Sequence, residues 1–168
     1  MCNIENRLKS SNLNRDETDI FFMSEAIKEA KKSILSGDIP VGALIVLENN
    51  IISASFNTRE ADKYPLGHVE INAIRLASQN ISSKYLRNMT LYVTLEPCPM
   101  CTGAILEAGI KRVVFGAYDP KGGACGSFMN LADYPGFSKR TIVRGGVMEK
   151  ECSEMLHNFF INLRKSKK

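Results

Sequence analysis

Two short stretches carry residue types that do chemistry together. His68-Val69-Glu70 precedes an apolar helical pattern, and thirty positions after His68 comes Pro97-Cys98-Pro99-Met100-Cys101. Residues i and i+3 of a helix share one face, so Cys98 and Cys101 can meet a single ion. A helix N-terminus favours negative charge and so helps convert such thiols to thiolates. Two thiolates and one neutral imidazole make three zinc ligands, and tetrahedral zinc then keeps a position for water. Zinc can lower the pKa of that water to about 7. Glu70 sits too close to His68 to ligate comfortably beside it, and its natural work is to move the water's proton. A Cys-x-x-Cys alone is equally a redox pair or a buried pair, and Cys125, Cys152 or His157 would close a structural zinc site as fourth ligand. A redox pair has no need of His68 and Glu70. The joint pattern, with each half at a helix entry, points to a catalytic zinc centre.

The elements that must position these residues are readable from periodicity. Phe22, Ala26, Ile27, Ala30 and Ile34 recur at helical spacing from about Asp19 to Ser36, and Gly37 stops the helix. Val41–Leu47 reads as a buried strand, Asn49-Asn50 as a turn and Ile51–Phe56 as the hairpin partner. A polar loop leads to a helix over Val69–Ser78, with Ala73, Ile74 and Ala77 inward. Thr90–Leu95 is a strand, Cys98–Ala108 a helix closed by Gly109, and Arg112–Ala117 a strand. Tyr118–Lys139, rich in Gly and Pro, is long for a plain connection and reads as a functional loop. Thr141–Arg144 forms a fifth strand, and Glu149–Arg164 a last helix with Met155, Leu156, Phe159 and Phe160 on one face. Helices alternating with strands after a hairpin give an α/β fold, a mixed sheet covered by helices.

Composition narrows the class. The chain has 168 residues, 44% hydrophobic and 24% charged, which suits one globular core and excludes a disordered or collagen-like chain. Residues 1–18 read as a polar extension and 19–168 as a single domain. The longest apolar run, Val41–Leu47, is far short of the roughly 20 residues that cross a bilayer. Residues 1–19 hold no apolar block, so no secretory leader is expected, and the odd count of 5 cysteines suits a reducing cytoplasm. The net charge of +4 is uneven: residues 1–110 carry 11 basic and 13 acidic side chains, residues 111–168 carry 11 and 5. A basic C-terminal third fits a polyanionic partner, or equally a solubilising tail.

His68-x-Glu70 with Pro97-Cys98-x-x-Cys101 resembles the signature of the zinc-dependent cytidine/adenosine deaminase superfamily. Pro40-Val41-Gly42-Ala43, Leu91–Cys98, Arg112–Ala117, the loop Asp119–Gly123 with Gly126-Ser127, and Phe159-Phe160 with Arg164 are similar to the bacterial tRNA-specific adenosine deaminases. The likeness runs from about residue 19 to 165. It implies the three-layer α/β/α cytidine deaminase-like fold, a five-stranded mixed sheet with helices on both faces. It further implies one Zn2+ per subunit on His68, Cys98 and Cys101, with Glu70 as proton shuttle. The reaction it implies is hydrolysis of the wobble adenosine of an arginine tRNA to inosine by a cytoplasmic homodimer. The partner is then the anticodon stem-loop, with neither DNA nor a membrane involved. By the same likeness Val41, Asn57, Leu95, Asp119 and Lys121 contact substrate, Asn57 at the target base and Asp119 near the neighbouring ribose. Phe159, Phe160 and Arg164 lie against the anticodon loop, although the two Phe can equally be core. Val69 stands where the family more often has Ala, Cys125 lies in the glycine loop, and Leu163-Arg164-Lys165 thins a terminal Arg pair. A deaminase of a free base or nucleoside shares the same zinc core, and a non-catalytic zinc-stabilised RNA-binding module shares the metal but not the need for Glu70.

Overall fold

The computed structural model describes residues 14–166, so residues 1–13 of the expected polar extension lie outside the described part. Helix α1 spans Arg15–Leu35 and starts four residues ahead of the expected Asp19. Its start is set by a polar device that hydrophobic periodicity does not register. The Asn14 side chain accepts from the amides of Asp16 (2.9 Å) and Glu17 (3.0 Å), and the Glu17 carboxylate accepts from the Asn14 amide (2.9 Å). Phe22, Met23, Ala26 and Ala30 are buried, but Ile34 is 46% exposed, so the last turn of α1 has left the sheet.

Strands β1 (Gly42–Leu47) and β2 (Asn50–Phe56) form a hairpin. Its turn falls on Glu48-Asn49, one residue earlier than expected, with φ of 48° and 66°. A two-residue hairpin of the favoured hand needs two positive φ values, and Asn tolerates one at low cost. Helix α2 (Val69–Asn80) leads to β3 (Thr90–Leu95), helix α3 (Pro99–Ala108) and β4 (Arg112–Ala117). Pro99 sits in the first turn of α3, and Gly109 closes the helix at φ 72°, a conformation that suits glycine. After the long loop come β5 (Ile142–Arg144) and helix α4 (Glu149–Ser166).

The strand order is β2-β1-β3-β4-β5, with β1 antiparallel to both neighbours and β3, β4 and β5 parallel. This is the five-stranded mixed sheet that was expected. Alternating side chains serve two cores. Ala43, Ile45, Leu91, Val93, Val113 and Phe115 pack with Ala73, Ala77, Ile105 and Ala108 of α2 and α3. On the other face Leu44, Val46, Tyr92 and Val114 pack with Phe22, Met23 and Ala26 of α1 and Cys152 of α4. Of the expected inward face of α4, only Leu156 packs against the cores; Met155 and Phe159 are half-buried and Phe160 is 40% exposed. No helix among the described residues is long and apolar enough to cross a membrane.

A charged cluster ties the elements at one end. Asp19, buried in α1, accepts two bonds from the Arg112 guanidinium (2.7 and 2.6 Å), one from the Tyr92 hydroxyl (2.9 Å) and one from Arg144 (2.6 Å). Burial opposes ionisation of Asp19, but the hydrogen bonds from Arg112 and Tyr92 and the charges of Arg112 and Arg144 outweigh it and hold the carboxyl below its ordinary range. Asp19→Ala strands Arg112 and is expected to cost about 3–5 kcal/mol, measured by urea unfolding. A loss under about 1 kcal/mol would show the cluster to be energetically idle. Because the folded carboxyl titrates below its unfolded value near 3.9, this stabilisation is complete above that pH. It drains away as pH falls through the folded value.

Candidate active site

Both chemistry-bearing stretches turn out to be helix entries that meet at one end of the sheet. His68 is the N-cap of α2 and Cys98 the N-cap of α3, each with extended backbone and neither spending its side chain on capping its own helix. Both are thus free to point at a common centre. The His68 Nδ1 lies 3.7 Å from Cys98 Sγ and 3.6 Å from Cys101 Sγ. Ligands 2.0–2.1 Å (N) and 2.3 Å (S) from one tetrahedral ion sit about 3.6 Å apart, so the donor set fits zinc in both chemistry and spacing. Among the described residues no fourth His, Cys, Asp or Glu joins this set. Cys125 lies instead within 3.6 Å of the Thr102 hydroxyl. Cys152 belongs to the core on the opposite face of the sheet, and His157 lines a shallow cleft on α4. The closed structural site that the sequence left open therefore finds no fourth side chain among the described residues.

Two of the donors, His68 and Cys98, border a cavity of about 140 Å³, lined also by Val41, Asn57, Glu70, Leu95 and Asp119. Every one of these was expected from the sequence. They converge because they leave the same end of the sheet: Val41 enters β1, Asn57 leaves β2, Leu95 ends β3 and Asp119 follows β4. The Asn57 amide donates to the Val41 carbonyl at 3.0 Å and holds the two lips of the pocket together. Pockets for drug-sized molecules run from about 300 Å³, so this one suits a single ring system. Lys121, Phe159, Phe160 and Arg164 do not line it. Lys121 stands on the adjoining loop, its amide bonded to Asp119 Oδ1 at 3.0 Å. Phe159 and Phe160 pack edge to face, 5.5 Å between centroids; Phe160 lines a cleft on α4 with Arg164, and Phe159 lines a groove between α4 and the last turn of α1.

The model of the cytidine and deoxycytidylate deaminase zinc-binding region matches residues 16–117. The chain belongs to this deaminase family. A tRNA-specific adenosine deaminase of Bacillus subtilis is 46% identical over 150 residues, 89% of this chain and 93% of that protein. One of Haemophilus influenzae is 44% identical over 92% of this chain and 90% of its own length. A structure from a study of A-to-I editing by tRNA:A34 deaminases at the wobble position superposes with a TM-score of 0.78. It is 37% identical and covers 80% of this chain and 98% of that one. The chain is thus a zinc-dependent hydrolytic deaminase, and His68, Cys98 and Cys101 are positioned to hold its ion.

Electrostatics in the deaminase pocket follow from burial and helix ends. Glu70, in the first turn of α2, is 5% exposed; burial pushes its carboxyl up to about 7, with the charge of Cys98 adding to the rise. That places the group near neutrality, where a proton shuttle is most effective. Cys98 is held down to about 5, chiefly by its hydrogen bond with Cys101, helped by the Cys101 and Met100 amides and by His68.

Sequence reasoning did not find Ile39, Arg59, Val69 and Glu96, which also line the deaminase's cavity. Val69 is the departure from the commoner Ala: it is 1% exposed and packs in the core, so the extra methyls are used there. Gly67 allows the loop to fold onto itself, since a side chain there would press on the Arg59 backbone. Two buried carboxylates pin the walls of the cavity. Asp38 accepts from the Glu60 (2.6 Å) and Ala61 (3.1 Å) amides and fixes the segment bearing Arg59. Glu96 does the same for the loop after β4. An acidic residue directly before Pro-Cys was the one available signal for it.

Proposed function

We propose that this deaminase converts the wobble adenosine of a tRNA anticodon to inosine, acting on an arginine tRNA, in the cytoplasm and as a homodimer. The observation that carries the reading is the extent of the likeness to tRNA-specific adenosine deaminases. It runs over 150 residues, well past the zinc-binding region at 16–117, and so takes in the loop after β4 that flanks the cavity. The basic balance of residues 111–168 suits phosphate contacts from the same side of the argument.

Bound zinc supplies one thing, a water acidic enough to lose a proton near pH 7. Glu70 would take one proton of that water and carry it to the ring nitrogen as oxygen replaces the amino group at C6, and ammonia would leave with the water's second proton. Val41 and Leu95 hold the ring faces and Asn57 reads the ring edge. An anticodon loop already presents unpaired bases, so extruding one costs at most a few kcal/mol. Asp119 and Lys121 stand beside the cavity for the flanking nucleotides, and Phe159, Phe160 and Arg164 offer stacking and charge to the rest of the loop.

The test offers the zinc-loaded protein anticodon stem-loops carrying adenosine at the wobble position, from arginine and other tRNAs, beside free adenosine, guanine and cytosine. Inosine in the arginine stem-loop, with the free compounds inert, is the expected result. Turnover of a free base with inert stem-loops would make the protein a base or nucleoside deaminase instead.

A further inference from the structure

We propose that Glu96 is a positioning residue for substrate: its buried carboxylate fixes the loop Asp119–Ser127 as one wall of the pocket, next to the zinc ligand Cys98. The substrate named in the test rests on the function proposed above; the positioning role itself rests on the following geometry.

Glu96 is 2% exposed. Its Oε2 accepts from the Asp119 amide (3.0 Å) and from the Ser127 hydroxyl, and its Oε1 accepts from the Cys125 and Ser127 amides (3.0 Å each). All four donors come from one loop, 23 to 31 residues downstream. Both oxygens are occupied, so the group has no free acceptor for a reacting proton and is no second shuttle. The loop backbone rests directly on the carboxyl group: a side chain at Gly123 would overlap the Glu96 carboxylate. From that anchor the wall is built outward. The Gly123 amide donates to the Asp119 carbonyl at 2.8 Å, and Asp119 Oδ1 accepts from the Lys121 (3.0 Å) and Gly122 (3.2 Å) amides. The Ala124 amide donates to the Pro97 carbonyl at 2.8 Å, so the same loop is also bonded to the residue that joins Glu96 to Cys98. Asp119, which faces the cavity, is therefore held in place relative to Cys98 chiefly through the Glu96 carboxylate, the one group that bonds its amide directly from the Cys98 segment.

Glutamine cannot replace that carboxylate. Three of the four donors are backbone amides, at least one on each oxygen, and an N–H placed at either position meets an N–H. In the zinc-loaded full-length protein, Glu96→Gln is expected to keep about one zinc per chain and to speed hydrogen exchange at the Asp119, Cys125 and Ser127 amides. It is also expected to raise KM for the stem-loop about tenfold while kcat moves less than about threefold, the effect of losing a charge-assisted hydrogen bond or two. Glu96→Asp keeps the charge at shorter reach and should fall between the two. An unchanged KM with exposed amides overturns the proposal, as does loss of zinc with a collapsed kcat and unchanged KM, which would make Glu96 a support for Cys98. If Glu96→Gln does not fold, Gly123→Ala perturbs the same contact without altering charge; it must raise KM, and an unchanged value is equally fatal. Should the wild type ignore stem-loops but deaminate a free base, the function proposed above fails, and the same variants are read on that base. The amide exchange is independent of either substrate.

Discussion

Replacing Glu70 with alanine is expected to lower deamination by about 10²–10⁴-fold or more, with zinc content and RNA affinity retained. The carboxyl sits in the first turn of α2, two residues after the ligand His68, and faces the same 140 Å³ cavity as His68 and Cys98. It is the only carboxyl in that cavity with no loop to hold, since Glu96 and Asp119 are both engaged by backbone amides. Single-turnover rates on a stem-loop, with zinc measured on the same preparation, separate the outcomes. Retained zinc with lost turnover assigns Glu70 to chemistry. Unchanged turnover removes it from the mechanism, and an inert wild type that binds RNA would favour a zinc-stabilised binding module.

Removal of any one ligand is expected to have the other large effect. His68→Ala, Cys98→Ala and Cys101→Ala should each take bound zinc from about one ion per chain to near none, and turnover with it. The scaffold should survive. Its two cores, on opposite faces of the sheet, are apolar and owe nothing to the ion, so far-UV circular dichroism should be little altered. The thermal midpoint of the wild type should rise with added zinc and that of the variants should not. Cys125→Ala, Cys152→Ala and His157→Ala are the controls, because none of these side chains joins the donor set. Loss of stoichiometric zinc in any of them would mean a four-ligand, closed site and would undo the catalytic reading.

The ligand trio was legible because its logic is local. A three-residue step on one helix and a residue at the mouth of another can be read without knowing how the chain folds, and the strand and helix periods around them placed both mouths beside a sheet. Asn57 and Asp119 came only through family likeness, since as bare residues each passes for a turn former. Asp38 left no mark, and Glu96 none beyond its place before Pro97-Cys98, for a different reason. Each serves backbone amides 22 or more residues away, and an amide donor leaves no mark in the sequence. The start of α1 was missed because a capping box, unlike an apolar stripe, has no period. Asp19 passed for the first residue of a helix when it is the hub of a cluster reaching Arg112 and Arg144. Phe160, 40% exposed while its neighbour Phe159 is half-buried, shows the converse failure: a stripe at helical spacing tells which residues share a side of α4, not whether anything covers that side.

The ion cage straddles a joint. One ligand rides on α2 and two on α3, and both helices are seated in the same core through a layer that includes Ala73, Ala77, Ile105 and Ala108. Sliding one helix along the other by a fraction of a bond length would spread nitrogen from sulfur. Grip on zinc is therefore a gauge of how deeply two helices are seated. Swapping a methyl for something bulkier in that hidden layer would register first as a leaky metal centre, before the protein as a whole had lost its shape.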